Sequence, residues 1–303
     1  MKVSVGLPTH HGEGELCTAV AIAEVAATAE SLGFDAVFVT DHPFPTDKWL
    51  STGGHHALDP FVALSFAAAA TTRLRLHTNL LVPSYRNPFV AAKAVATLDA
   101  LSNGRMIVGL GAGYLRGEFE ALGVDFDERN ELTDEAIVAM RAAWTGDPVT
   151  MDGRHWTAAA NRMLPVPAQP GGPPLWIGGN SKRAIRRAVE LADGWMPMPS
   201  PAGSERRLKT PSISSLDELA ERVVLAHDHA KEIGRTTPLE LVFMPLGLDM
   251  FTNAGVDADL VIESTRAMAD VGVTYSTITL PGDDRDTFFA NLAAFGEQVI
   301  PEI

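Results

Sequence analysis

The acid-histidine pair Asp41-His42 stands directly after the short apolar run Ala36–Thr40. An imidazole titrates near neutral pH, so His42 at such a place can hold or deliver a proton to a bound ring or substrate, with Asp41 beside it to orient or charge it. An ordinary polar loop start is the competing reading of the same two residues. A second candidate is Gly109-Leu110-Gly111-Ala112-Gly113-Tyr114, at the end of another apolar run. Three glycines and an alanine there remove the side chains that would keep a flat ligand off the backbone. Tight turns and packing against a helix use glycine as well, so this pattern alone leaves both readings open. The third candidate, Gly178-Gly179-Asn180-Ser181, precedes a helical stretch. Free amides at a helix start favour an anion, with Ser181 and Lys182 adding contacts, and simple capping by Asn180 is the alternative.

Nine histidines raise the question of a metal, since His10, His42 and His77 lie on or just after three successive strand-like runs. His77 falls inside its run, no His-x-His pair follows the first run, and no bridging lysine stands out. The pairs His10-His11 and His55-His56 point neighbouring side chains in different directions, so no metal site is expected. Cys17 is the only cysteine, which excludes an intrachain disulfide, a cysteine zinc cluster and a vicinal redox pair.

These residues need a scaffold, and the chain alternates short β-branched or apolar runs with longer amphipathic ones. The runs Val3–Leu7, Ala36–Thr40, Leu74–Leu81, Arg105–Leu110, Leu175–Gly178, Gly194–Met198, Leu239–Leu246 and Thr274–Leu280 read as eight strands. Segments such as Leu16–Leu32, Val90–Leu101, Asn130–Trp144, Lys182–Ala192, Leu216–Ile233 and Asp259–Val271 are long enough for crossover helices. Eight βα units predict an α/β fold, a closed (β/α)8 TIM barrel in one domain over 1–303, with the chemistry at strand C-termini. Gly33, Gly194 and Gly272 are placed to end helices, and Asp217 or Ser214 to cap the helix beginning near Leu216. Gly146–Pro174, with a hairpin around Met151-Asp152-Gly153-Arg154, and Pro199–Ser215 do not fit a minimal barrel and read as rim insertions.

The formal charge of −14 opposes binding to nucleic acid or an anionic membrane, and no apolar run reaches the ~18 residues of a membrane span. The first strand begins almost at Met1 with no signal-like segment, so a cytoplasmic protein with a small-molecule partner is expected. The aromatic residues Phe44, Trp49, Tyr114, Trp176 and Trp195 either face that ligand or pack as core.

The phrases Leu81-Val82-Pro83-Ser84-Tyr85-Arg86-Asn87-Pro88, Ala96-Thr97-Leu98-Asp99-Ala100-Leu101-Ser102-Asn103-Gly104-Arg105, Gly111-Ala112-Gly113-Tyr114-Leu115, Glu118-Phe119-Glu120-Ala121-Leu122-Gly123 and Pro174-Leu175-Trp176-Ile177-Gly178-Gly179-Asn180-Ser181 occur in an order that resembles the deazaflavin-dependent branch of the luciferase-like monooxygenase superfamily. The likeness covers roughly Val3 to Pro197. It implies a barrel that binds a tricyclic ring at its mouth, with Asp41 and His42 as the acid-histidine pair beside the ring. It further implies a non-prolyl cis peptide at Asn79-Leu80, Gly111, Ala112 and Gly113 lining the ring or its chain, and Gly178 and Gly179 near the cofactor's phosphate end. In the sugar-phosphate dehydrogenases of this family a glutamate follows the strand-four glycines. Here Tyr114 stands in its place, and no tryptophan directly follows the Asp-His-x-x-Pro segment, which argues against sugar-phosphate oxidation.

The resemblance implies an oxidoreductase that uses coenzyme F420 to move a hydride to or from a small organic substrate. An FMN-dependent monooxygenase on the same fold is the alternative, and a non-catalytic flavin-binding barrel the second. Relatives of this kind commonly pair through barrel helices, and the alanine-rich second and third helices permit close approach, so a twofold homodimer is expected.

Overall fold

The computed structural model describes residues 1–10, 12–246 and 255–303. Ten strands lie among them: β1 (Lys2–Gly6), β2 (Ala36–Val39), β3 (Arg75–Leu81), β4 (Met106–Leu110), β5 (Val149–Gly153), β6 (Trp156–Asn161), β7 (Leu175–Gly178), β8 (Gly194–Met196), β9 (Glu240–Phe243) and β10 (Tyr275–Ile278). Eight close a parallel barrel in the order β1-β10-β9-β8-β7-β4-β3-β2, while β5 and β6 form a separate antiparallel hairpin. The helices are α1 (Ala19–Ser31), α2 (Asp47–Leu50), α3 (Pro60–Ala70), α4 (Pro88–Leu101), α5 (Arg116–Ala121), α6 (Arg129–Trp144), α7 (Lys182–Leu191), α8 (Glu205–Leu208), α9 (Leu216–Glu232), α10 (Ala258–Asp270) and α11 (Arg285–Gln298). The predicted (β/α)8 TIM barrel is therefore what the chain forms. Among the described residues no helix is long and apolar enough to cross a membrane.

Strands of a parallel barrel are buried on both faces, which is why they read as continuous apolar runs. Alternation sends Ala36, Ile107, Trp176, Met196, Val242 and Tyr275 into the barrel, where they form a cluster of their own. Their neighbours Val37, Val39, Val108, Leu175 and Ile177 face outward into the larger cluster shared with the helices. His77 also points inward, its ring edge-on to Trp176 at 4.9 Å, and Trp176 in turn meets Tyr275 at 4.9 Å. It is a core residue. His11 lies outside the described residues, and no group of three or more His, Cys, Asp or Glu among them is arranged to hold a metal ion.

Helices begin where a short polar side chain can take the first N–H groups. Asp59 accepts from Phe61 and Val62 with Pro60 at the first helical position, and Asn87 accepts from Phe89 ahead of Pro88. Neither Asp217 nor Ser214 caps α9: Ser215 accepts from the Glu218 N–H, and Ser214 donates to the Glu218 carboxylate. Gly33 and Gly272 do end helices, at φ +89° and +100°. Gly194 does not: it opens β8, where a Cβ would come within 2.3 Å of the Trp176 ring. The Gly146–Pro174 insertion contains the β5–β6 hairpin, and the Pro199–Ser215 insertion contains α8 and a bridge from Ser200 to Ile213.

Candidate active site

His42 emerges at the C-terminal end of β2 with 12% of its side chain exposed. Its Nδ1 lies 3.2 Å from Glu118 Oε2 on α5, and the Glu118 side chain is wholly buried. Two further donors reach that carboxylate: the Tyr85 hydroxyl at 2.9 Å and the Phe44 N–H at 3.2 Å. Asp41, the sequence neighbour expected to orient His42, is turned elsewhere. Its two oxygens accept from Arg86 Nη1 and Nη2 at 2.8 and 3.0 Å, and one also accepts from the Val82 N–H at 3.0 Å. Asp41 thus clamps the segment that leaves β3.

Around the imidazole stands an aromatic wall. The Trp49 ring from α2 is 4.7 Å away, His55 5.0 Å and edge-on, and Tyr114 6.2 Å and edge-on. Burial pushes His55 down to about 4, with the nearby His42 and His10 also lowering it, so it is neutral at ordinary pH. Burial and then the charge of Glu118 push the Tyr114 phenol up to about 12, which keeps it a hydroxyl. Of the five aromatic candidates, only Trp49 and Tyr114 meet His42. Trp176 and Trp195 are core, and Phe44 is exposed.

The floor of the mouth is made by Leu80. The β3–β4 ladder shifts register between Thr78 and Leu81, and the Asn79–Leu80 peptide there is cis. The Leu80 side chain sits in a socket of glycines: a Cβ on Gly178 would lie 2.2 Å from its Cδ1, one on Gly111 3.0 Å from its Cδ1, and one on Gly109 3.1 Å from its Cδ2. These glycines make room first for Leu80, which then offers an aliphatic surface above the interior cluster. Gly113 serves packing instead, since a Cβ there would meet the Phe119 ring at 2.7 Å. Gly111-Ala112-Gly113 carries the chain from this floor to Tyr114.

At the end of β7, Gly179 adopts φ +106°, a conformation that favours glycine. The cap of α7 is Ser181, which accepts from the Ala184 N–H. Asn180 is fully buried and engaged within the protein: its amide donates to the Met198 and Pro211 carbonyls, its Oδ1 accepts from the Met198 N–H, and its own N–H donates to Thr210 Oγ1. It staples the 198–211 insertion to the rim.

The structure thus gathers His42, Tyr114, Leu80, Gly111 and Gly178 near one mouth and gives Asp41 and Asn180 to the scaffold. Glu118, His55, Tyr85 and Arg86 are the site residues that the sequence did not single out for a role, whereas Trp49 entered as one of the five aromatic candidates. Glu118, Tyr85 and Arg86 stood only within the phrases that carry the family resemblance, and nothing in their spacing paired them with His42 or Asp41. His55 carried no signal. A separate cavity of about 410 Å³ against α9, lined by Trp195, Val223, Ala226, Leu239 and Leu241 among others, shares no residue with this site.

A closed parallel barrel with a titratable wall and an aliphatic floor at its C-terminal mouth defines a barrel enzyme site. Residues 1–227 match the model of the luciferase-like monooxygenase family, and the chain belongs to that family. A relative from Nakamurella multipartita named F420-dependent glucose-6-phosphate dehydrogenase is 29% identical, covering 93% of this chain and 92% of the relative. Among solved structures, the monooxygenase RslO1 from Streptomyces bottropensis superposes with a TM-score of 0.79 at 21% identity, over 99% of both chains. An F420-dependent secondary alcohol dehydrogenase in complex with an F420-acetone adduct gives 0.76 at 18% identity, over 98% of both chains. These last two likenesses are of fold.

Proposed function

We propose that this protein is an F420-dependent oxidoreductase that moves a hydride between the deazaflavin and a small organic substrate at the barrel mouth. The observation that carries the reading is that the Leu80 floor on its glycine socket and the His42 imidazole stand at the C-terminal ends of the adjacent parallel strands β3 and β2. The choice of cofactor is supported by the F420-dependent relative matched over nearly the whole of both chains. A flat tricyclic ring suits an aliphatic floor with small neighbours, so Leu80, Asn79, Gly111 and Ala112 would hold it. Gly178, Gly179, Ser181 and the first N–H groups of α7 would meet its anionic end. When bound, the deazaflavin gives or takes a hydride. The protein's part is to position the reacting carbon, exclude water and manage the accompanying proton. His42 holds or delivers that proton, and Tyr114, held as a hydroxyl, can donate a hydrogen bond to the reacting oxygen of the substrate.

Trp49 and Glu118 supply, against His42, the two residue types missing at the positions where the sugar-phosphate dehydrogenases carry them. Glu118 is buried beneath the imidazole and cannot touch a substrate, so the site is not a copy of theirs. The test is fluorescence titration with oxidised F420, FMN and FAD. F420 is expected to bind at least ~10-fold more tightly than FMN, about 1.4 kcal/mol. Equal or reversed affinities would assign the protein to the FMN-dependent monooxygenases, and absence of binding by all three would end the reading.

A further inference from the structure

We infer that Glu118 is the positioning residue for His42: it holds Nδ1–H, fixes the imidazole tautomer and leaves Nε2 as the atom that gives and takes the proton. The functional half of this inference rests on the reading of His42 given above, and the tautomer does not. An ionised carboxylate can only accept, so at 3.2 Å the hydrogen of the pair resides on Nδ1. Free histidine in water favours the other tautomer, with hydrogen on Nε2, so the protein has to impose this one.

Glu118 is built to do so. Its Oε1 is held by the Phe44 N–H and its Oε2 by the Tyr85 hydroxyl, and the Tyr85 ring packs edge-on against Phe119 at 4.8 Å. The carboxylate therefore cannot swing to follow a different ring orientation. It also lacks a cation. Among the described residues no Arg or Lys pairs with Glu118, and its one charge-compensating contact is the imidazole. The imidazole thus faces a carboxylate that can only accept, which fixes where its N–H must point. Asp41 exerts no comparable pull, since Arg86 neutralises it from the other side. Among the described residues the other groups facing His42 are Trp49, Tyr114 and neutral His55 with His10 beyond it, with Arg207 out past Tyr114, and none of these supplies a second negative charge. Nε2 takes or gives the single proton that accompanies hydride transfer, while Nδ1–H stays in place.

Nitrogen-15 histidine spectra of the protein without cofactor, recorded above the imidazole titration, test the tautomer directly. His42 is expected as Nδ1–H in the wild type and as a mixture or Nε2–H in Glu118→Gln. An Nε2–H signal in the wild type overturns the inference, and so does an unchanged tautomer in the variant; the wild-type spectrum decides even if the variant does not fold. With F420 bound, Glu118→Gln is expected to lower kcat by ~10- to 100-fold, with KM and cofactor affinity within about twofold. Glu118→Asp should recover part of the tautomer and of the lost kcat by restoring the carboxylate. A lowered melting temperature with the tautomer and kcat unmoved would make Glu118 merely structural and overturn the inference. The spectra need no cofactor, so failure of the tautomer and failure of the F420 reading appear in different experiments.

Discussion

At His42 one ring nitrogen faces a buried carboxylate and the ring as a whole borders the barrel mouth, while the adjacent Asp41 is consumed by Arg86 and Val82. Removing the imidazole leaves that clamp untouched. His42→Ala is therefore expected to keep its melting temperature within a few degrees and to lose turnover by ~10²-fold or more. Melting, F420 affinity and the reduction rate of an activated alkene acceptor separate the outcomes: weakened cofactor binding with unchanged turnover would make His42 a contact residue, and no change in either would make it an ordinary loop histidine. His77 behaves differently. Burial, and then the charge of Arg75, push it down to about 3, so the folded state keeps it neutral while the unfolded chain takes up a proton near 6.5. Its stabilising contribution is complete above the unfolded value and is lost as pH falls from there towards 3, at up to ~1.4 kcal/mol per pH unit. His55 acts with the same sign down to about 4. Urea midpoints between pH 7.5 and 4.5 should fall less steeply in His77→Leu than in the wild type; parallel curves would disprove this.

Among elements, the 198–211 insertion depends on one residue of the β7–α7 turn. Asn180 bonds Met198 twice and Pro211 once, and Arg222 of α9 donates to the Asn180 carbonyl. Asn180→Ala takes the buried amide partner from the Met198 N–H and C=O and the Pro211 C=O while leaving the Arg222 bond, and is expected to cost about 1–3 kcal/mol. Limited proteolysis should then cut between residues 201 and 209 faster than in the wild type, and an unchanged cleavage rate would show that the insertion is held by other contacts. The strands were legible in the sequence to within a few residues because double-sided burial demands unbroken apolar runs. Helix ends were less so. Ser215 rather than its neighbours caps α9, and Gly194 serves a close approach rather than a helix end, because packing against Trp176 decides its role.

For the whole molecule, α3 packs beside both α1 and α4, and these three helices expose Val20, Val62, Phe66 and Val90. We propose that a twofold dimer covers these apolar side chains. Light scattering at micromolar concentration should give twice the 32.4 kDa chain mass, and Phe66→Glu should shift it towards the monomer. A monomeric wild type would remove the proposal. The sequence by itself determined the barrel, its eight strands, the hairpin outside them, the family and the placing of His42 after a barrel strand, because these depend on local periodicity and short contiguous motifs. Tertiary structure alone decided which carboxylate serves His42, that Trp49 and His55 wall it, that Leu80 fills the glycine socket and that Asn180 binds a loop rather than standing free. Those contacts join residues as far apart as His42 and Glu118, 76 positions, or Leu80 and Gly178, and a barrel brings such residues together only when its sheet closes.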